Sequence, residues 1–162
     1  MFTVGVLTIS DKGSKGERED KSGLAIREIV EKQGWTVKEF QIIPDERENI
    51  SKELIRMADE LHCDLILTTG GTGLSPRDVT PEATKAVIER ELPGMAEYMR
   101  AESVKKIPTA ILSRGVCGIR KQSLIVNLPG SPKGVKENLE FILPVLPHGL
   151  AKLKGDTKDC AL

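Results

Sequence analysis

Aromatic side chains are scarce in this chain of 162 residues, at 3%, and Trp35 and Tyr98 are its only large polar rings. Stacking platforms for bases or sugars are therefore not available in number, which argues against single-stranded nucleic acid as a partner. Net charge is also lacking. With 24 basic and 24 acidic residues there is no excess positive field to recruit a polyanion. The three cysteines, Cys63, Cys117 and Cys160, are far apart and form no CxxC pair, and His62 and His148 are the only histidines, so no spaced zinc ligand set exists. No apolar run reaches about 18 residues, and Met1 to Ser10 has neither a basic leader nor a small-residue cleavage site. We expect a reduced, soluble, cytoplasmic protein without membrane association. Cys160 lies third from the end, whereas prenylation requires a cysteine in fourth place.

What the chain does have is a hydrophobic fraction of 39% in alternating short blocks. A chain of this length buries about 70% of its unfolded surface around one core, so we expect a single domain over 1–162, with 156–162 as a flexible tail. Thr3 to Ile9 and Asp64 to Thr69 are short β-branched runs bounded by polar or glycine-rich segments, as in buried parallel strands. Trp35 to Ile43 alternates and stops at Pro44-Asp45, giving another strand. Helices are expected from a Ser22 cap to Gly34, from about Glu46 to Leu61, and from Thr80-Pro81 through Glu91. Further helices are expected from Gly94 to about Val104, from Ser131-Pro132 onward, and from about Val145 to Leu153. Gly115 to Leu128 reads as two strands around Arg120-Lys121-Gln122, an antiparallel hairpin. Strands separated by helical patterns of this length imply βαβ units. The predicted fold is a three-layer α/β sandwich with a mostly parallel sheet and an antiparallel hairpin at one edge.

In open α/β sheets, ligands sit outside the carboxyl ends of the strands where strand order reverses. If the first strand lies between the second and third, Ser10-Asp11, Pro44-Asp45-Glu46 and Gly70 to Asp78 meet there. Gly70-Gly71-Thr72-Gly73 matches neither a Walker loop nor a dinucleotide fingerprint. It serves equally as a tight strand-to-helix turn or as a surface that a ligand approaches closely. Asp45 and Asp78 each precede a helix and could simply favour its N-terminus; together, at one sheet edge, they suit Mg²⁺, which takes one or two carboxylates plus waters and phosphates. Asn127-Leu128-Pro129-Gly130-Ser131-Pro132 sets a turn against a helix start whose free N–H groups suit a phosphate. Arg114, Arg120 and Lys121 are either anion contacts or solvated surface. His62 and Cys63 are read as structural.

The segments Thr69 to Gly73 and Pro76 to Thr84, with Ile43-Pro44-Asp45-Glu46 and Asn127 to Pro132, resemble the molybdopterin adenylyltransferases of molybdenum-cofactor biosynthesis. The likeness takes in Ser10-Asp11, Asp20-Lys21-Ser22-Gly23, Pro108 to Arg114, Gly118-Ile119-Arg120 and Lys154-Gly155-Asp156, and so covers nearly the whole chain. It implies Mg²⁺-dependent transfer of AMP from ATP to the terminal phosphate of molybdopterin, with release of pyrophosphate. It implies that Asp45 and Asp78 are the catalytic, metal-positioning carboxylates. It further implies that Gly70, Gly71, Thr72, Gly73, Asn127, Pro129, Gly130, Ser131 and Pro132 line the nucleotide and pterin sites, together with Ser10, Asp11 and Ser113. The family forms homotrimers, sometimes paired into hexamers, and its product passes to a metal-insertion enzyme. Met95, Tyr98 and Met99 offer a helix face for such an interface or for the core. The competing reading is a non-catalytic molybdopterin-binding or scaffold module; a flavodoxin-like domain would need an isoalloxazine sandwich that the sparse aromatics do not supply.

Overall fold

The computed structural model describes residues 1–158; the rest of the expected tail, with Cys160, lies outside the described residues. Six strands form one sheet: β1 (Thr3–Ile9), β2 (Thr36–Ile43), β3 (Leu65–Thr69), β4 (Arg90–Glu91), β5 (Cys117–Arg120) and β6 (Ser123–Leu128). Their order is β2-β1-β3-β6-β5-β4. The first four are parallel, and β5 and β4 add an antiparallel edge. β1 lies between β2 and β3, which meets the condition under which the three loops converge, and the Gly115–Leu128 stretch is the expected hairpin.

Side-chain alternation along the strands divides the core between the two faces. Val4, Val6, Leu65, Leu67, Leu124 and Val126 point one way and pack with α2 (Lys21–Lys32), α5 (Pro93–Val104), α6 (Pro132–Ile142) and α7 (Leu146–Leu153). Leu7, Ile9, Ile66 and Ile125 point the other way, against α3 (Arg47–Ile55) and α4 (Thr80–Lys85). Three layers result. A four-residue helix, α1 (Asp11–Ser14), directly follows β1.

Several local expectations are corrected. The helix expected to run from Thr80 through Glu91 stops at Lys85. Beyond it the chain runs along the hairpin as edge strand β4, with Glu89 N donating to Ile119 O (2.8 Å) and Leu92 N to Cys117 O (2.8 Å). This close approach needs Gly118, since a Cβ there would lie 2.5 Å from the Ile88 side chain and 3.0 Å from Arg90 O. The cap of α2 is Asp20, whose carboxylate accepts from Gly23 N (2.8 Å); Ser22 instead donates to Gly130 O (2.8 Å). Thr80 Oγ1 also does not cap a helix but donates to Gly70 O (2.9 Å). The Glu46 to Leu61 helix ends in a π-helical turn, Arg56–Glu60, and Pro108–Leu112 forms a 3₁₀ turn that periodicity did not foretell. Of the face at α5, Met99 is buried in the core, Met95 packs against it, and Tyr98 is exposed.

Candidate active site

The chain crosses from β1 to β2 on one side and then back past β1 to β3 on the other, so the carboxyl ends of β1 and β3 flank the point where strand order reverses. The loops after β1, β2, β3 and β6 gather there. Gly70 has φ +98°, and a Cβ on it would stand 2.2 Å from Ile9 O; Gly71 has φ +67°, and its Cβ would meet Thr80 Oγ1 at 2.2 Å and Asp45 Oδ1 at 3.2 Å. Only glycine lets the loop from β3 pass this close to the end of β1 and to Asp45. Thr80 pins the turn from the other side, its N donating to Gly71 O (3.1 Å) and its hydroxyl to Gly70 O.

The two aspartates line one opening. Asp45 Oδ2 accepts from Asp11 N (2.9 Å), and Asp11 Oδ1 accepts from Asp45 N (3.1 Å). Arg77 crosses from the glycine loop to donate to both oxygens of Asp11 (2.9 and 3.1 Å) and to Glu46 (2.9 Å). The Arg77 guanidinium holds the Asp11 carboxyl below the usual carboxylate range. Burial pushes the Asp45 carboxyl above that range, with the negative charges of Asp11 and Asp78 acting in the same direction. Asp78 Oδ2 accepts from Ser75 N (2.9 Å), closing the loop on itself, and Gly73 leaves room for it, since a Cβ there would lie 2.8 Å from Asp78 Oδ2. Among the described residues, no hydrogen bond engages Oδ1 of Asp45 or Asp78. Also among the described residues, no group of three or more His, Cys, Asp or Glu side chains is arranged to hold a metal alone. A half-buried carboxylate with no cation on its free oxygen, lining the same opening as a second carboxylate, fits an ion such as Mg²⁺ that takes its other ligands from water and phosphate.

Two cavities open on either side of the Pro129–Ser131 turn. One, of about 830 Å³, carries mainly polar and charged side chains and glycines in its lining, Ser10, Asp20, Asp45, Gly71, Asp78 and Gly130 among them. The other, of about 510 Å³, is mostly apolar and is lined by Thr72, Leu74, Met99, Ser113, Asn127 and Pro129 among others. The turn between them is braced by Thr69 Oγ1 donating to Pro129 O (2.7 Å) and Ser22 Oγ to Gly130 O. Ser131 Oγ accepts from Gly134 N (3.0 Å) and caps α6, with Pro132 at its first position.

The sequence-predicted residues thus converge, with differences in role. Asp45, Asp78, Gly70, Gly71, Gly130, Ser131, Pro132 and Ser10 share the polar cavity; Thr72, Gly73, Ser113, Asn127 and Pro129 border the apolar one. The Asn127 side chain is committed inside the protein, donating to Thr68 and Thr84 hydroxyls (3.0 Å each) and accepting from Val116 N (3.1 Å). Arg120 and Lys121, candidates for anion contact, both pair with Asp59 far from this edge. Sequence reasoning gave no site role to Glu19 and Asp20, two further carboxylates lining this cavity, or to Arg18 and Lys21 beside them. Their signal was available in the charged run before α2, whose register is set by the Asp20 cap.

Comparison with known proteins agrees with this geometry. The family model MoCF_biosynth, a probable molybdopterin binding domain, matches residues 5–148. The molybdopterin adenylyltransferase of Helicobacter pylori (strain J99) is 51% identical over 94% of this chain and 88% of its own length. That of Escherichia coli (strain K12) is 48% identical over 91% of this chain and 78% of its own. The crystal structure of the molybdopterin biosynthesis enzyme MoaB from Thermus thermophilus superposes with a TM-score of 0.91 at 54% identity, covering 96% of this chain and 98% of that one. With this match spanning both faces of the sheet and every loop of the site, the chain belongs to the molybdopterin-binding-domain family that includes these adenylyltransferases.

Proposed function

We propose that this chain transfers AMP from ATP to the terminal phosphate of molybdopterin in a Mg²⁺-dependent reaction, giving adenylyl-molybdopterin and pyrophosphate. The observation that carries this reading is the pair Asp45 and Asp78 on one polar cavity, separated by a single braced turn from an apolar cavity. The polar cavity takes the nucleotide and the apolar one the pterin ring, so the two phosphates meet at the Gly130-Ser131 turn. A terminal phosphate oxygen of molybdopterin attacks the α-phosphorus, the bond from that phosphorus to the bridging oxygen breaks, and pyrophosphate leaves. No covalent enzyme intermediate is required. Bound Mg²⁺, held by Asp45 and Asp78, supplies neutralisation of the phosphate charge.

The remaining groups position and attract. Gly70 and Gly71 bring bare backbone to the phosphates, the N-terminus of α6 favours an anion, and Arg18 and Lys21 add positive charge at the cavity wall. Catalysis then rests on orientation and electrostatics. Leu74, Tyr98, Ile107, Ile111 and Leu112 form exposed apolar surface beside the apolar cavity, which suits a homotrimer interface, with two trimers pairing into a hexamer as the larger form. The setting is cytoplasmic, and the product passes to a metal-insertion enzyme. Mass spectrometry of molybdopterin incubated with the chain, ATP and Mg²⁺ tests the reading. A product heavier by one adenylyl group is expected; unchanged pterin recovered bound to the chain would replace the enzyme with a binding module.

A further inference from the structure

Arg114 lies outside the carboxylates, glycines and helix cap that define the site, yet its side chain is committed to the loop that carries Asp78. Its Nε donates to Gly73 O (2.7 Å) and its Nη2 to Asp78 O (2.7 Å), while Nη1 pairs with Glu82 at the first turn of α4. Its own backbone N donates to Thr72 O (2.9 Å). The guanidinium therefore spans both ends of the Gly73–Asp78 loop and ties them to the helix that follows. Between those ends, residues 74–77 are exposed; within the loop Asp78 N donates to Ser75 O (2.9 Å), Ser75 N to Asp78 Oδ2 (2.9 Å) and Arg77 N to Ser75 Oγ (3.4 Å), and the Arg77 side chain reaches out to Asp11 and Glu46. No other side chain bonds the backbone carbonyls at both ends of this loop among the described residues.

We propose that Arg114 is a positioning residue for adenylyl transfer: it sets the separation of Gly73 and Asp78, and so the place of the Asp78 carboxylate, without touching substrate. This rests on Asp78 serving as a site carboxylate. A planar fork with donors in three directions is what the arrangement needs. A lysine ammonium, a single point of charge, cannot reach Gly73, Asp78 and Glu82 together. Displacement of a catalytic group by about 1 Å can cost on the order of 10²-fold in turnover.

The test uses Arg114→Lys and Arg114→Gln in the full chain, with Asp78→Asn alongside. Hydrogen exchange at the Ser75 and Asp78 amides should accelerate in both Arg114 variants while the amides of β1, β3 and β6 keep their protection. The kcat for pterin-dependent pyrophosphate release should fall about 10²-fold in Arg114→Gln, the KM for molybdopterin should stay within about twofold, and more Mg²⁺ should be needed for half-maximal rate. Added guanidinium should partly restore the rate of Arg114→Ala. Wild-type kcat and loop exchange in the Arg114 variants, with Asp78→Asn inactive, would overturn the positioning role alone. A fully active Asp78→Asn would instead remove the reading beneath it. Loss of protection throughout the sheet together with loss of pterin binding would make Arg114 a general structural residue and also overturn the proposal.

Discussion

Asp11 and Asp45 hold one another through reciprocal hydrogen bonds, each backbone N–H donating to the other's carboxylate at 2.9 and 3.1 Å. The pairing welds the loop after β1 to the loop after β2, and Arg77 draws the loop after β3 onto the same carboxylate. Asp11 is thus fully engaged within the protein, and its contribution to the site is the placement of Asp45. Replacing Asp11 by Ala removes the acceptor for Asp45 N and both Arg77 contacts. We expect turnover to fall by about tenfold or more, with molybdopterin affinity near that of the native chain. Steady-state kinetics checks this, and an equal loss in binding would contradict it.

Asp45 carries a stability cost that its role explains. Its folded pKa lies above the unfolded value because burial disfavours the charged form. Stability from this group is therefore present below the unfolded pKa and is lost as pH rises through the folded pKa. Asp45→Asn keeps an oxygen to accept from Asp11 N but cannot ionise. In the absence of Mg²⁺ it should melt at a higher temperature than the native chain at pH 7, with the difference vanishing near pH 3. Adding Mg²⁺ with ATP should raise the native melting temperature and leave the variant unmoved. A lower melting temperature for the variant at pH 7 without metal would count against this account.

Gly71 should tolerate no side chain. At φ +67°, with Thr80 Oγ1 2.2 Å from an added Cβ, Gly71→Ala suffers both backbone strain and overlap. A loss of about 1–3 kcal/mol in unfolding free energy is expected from urea titration at unchanged slope. A change within about 0.5 kcal/mol, the range of ordinary surface substitutions, would show that the turn relaxes freely.

At the opposite end of the sheet, Asp59 on the π-helical turn accepts from Arg120 (2.7 and 3.0 Å) and pairs with Lys121 at the hairpin tip (2.9 Å). Hydrogen bonding from Arg120 lowers its pKa from 3.8 to about 2. The stabilisation is present above the unfolded value and is lost as pH falls toward 2. Asp59→Asn should lower the melting temperature at pH 7, and the gap to the native chain should close between about pH 4 and pH 2. A gap constant across that window would mean that the ion pair does not stabilise the fold.

Much of this was legible in the sequence because local and global signals agree. Short β-branched strands separated by amphipathic helices foretold the parallel layers, and Pro81, Pro93 and Pro132 stand in first turns of helices. The glycine turn and both aspartates announced the sheet edge where they gather. The failures lie where tertiary contacts override local preference. Residues 86–91 have helical neighbours, yet the unpaired edge of β5 captures Arg90–Glu91 as β4, a partner that periodicity cannot show. Ser22, a fair cap by type, loses to Asp20 because its hydroxyl is needed by Gly130 O, 108 residues away. Arg114 was visible as a charge near the site, but the carbonyls it binds, Gly73 O and Asp78 O, exist as a target only once the loop is folded.

The most direct test is pyrophosphate release from MgATP with and without molybdopterin, comparing the native chain with Asp78→Asn. The account predicts release that depends on the pterin and falls by orders of magnitude in the variant, while molybdopterin still binds it. Equal release by both proteins, or none by the native chain despite tight pterin binding, would contradict it.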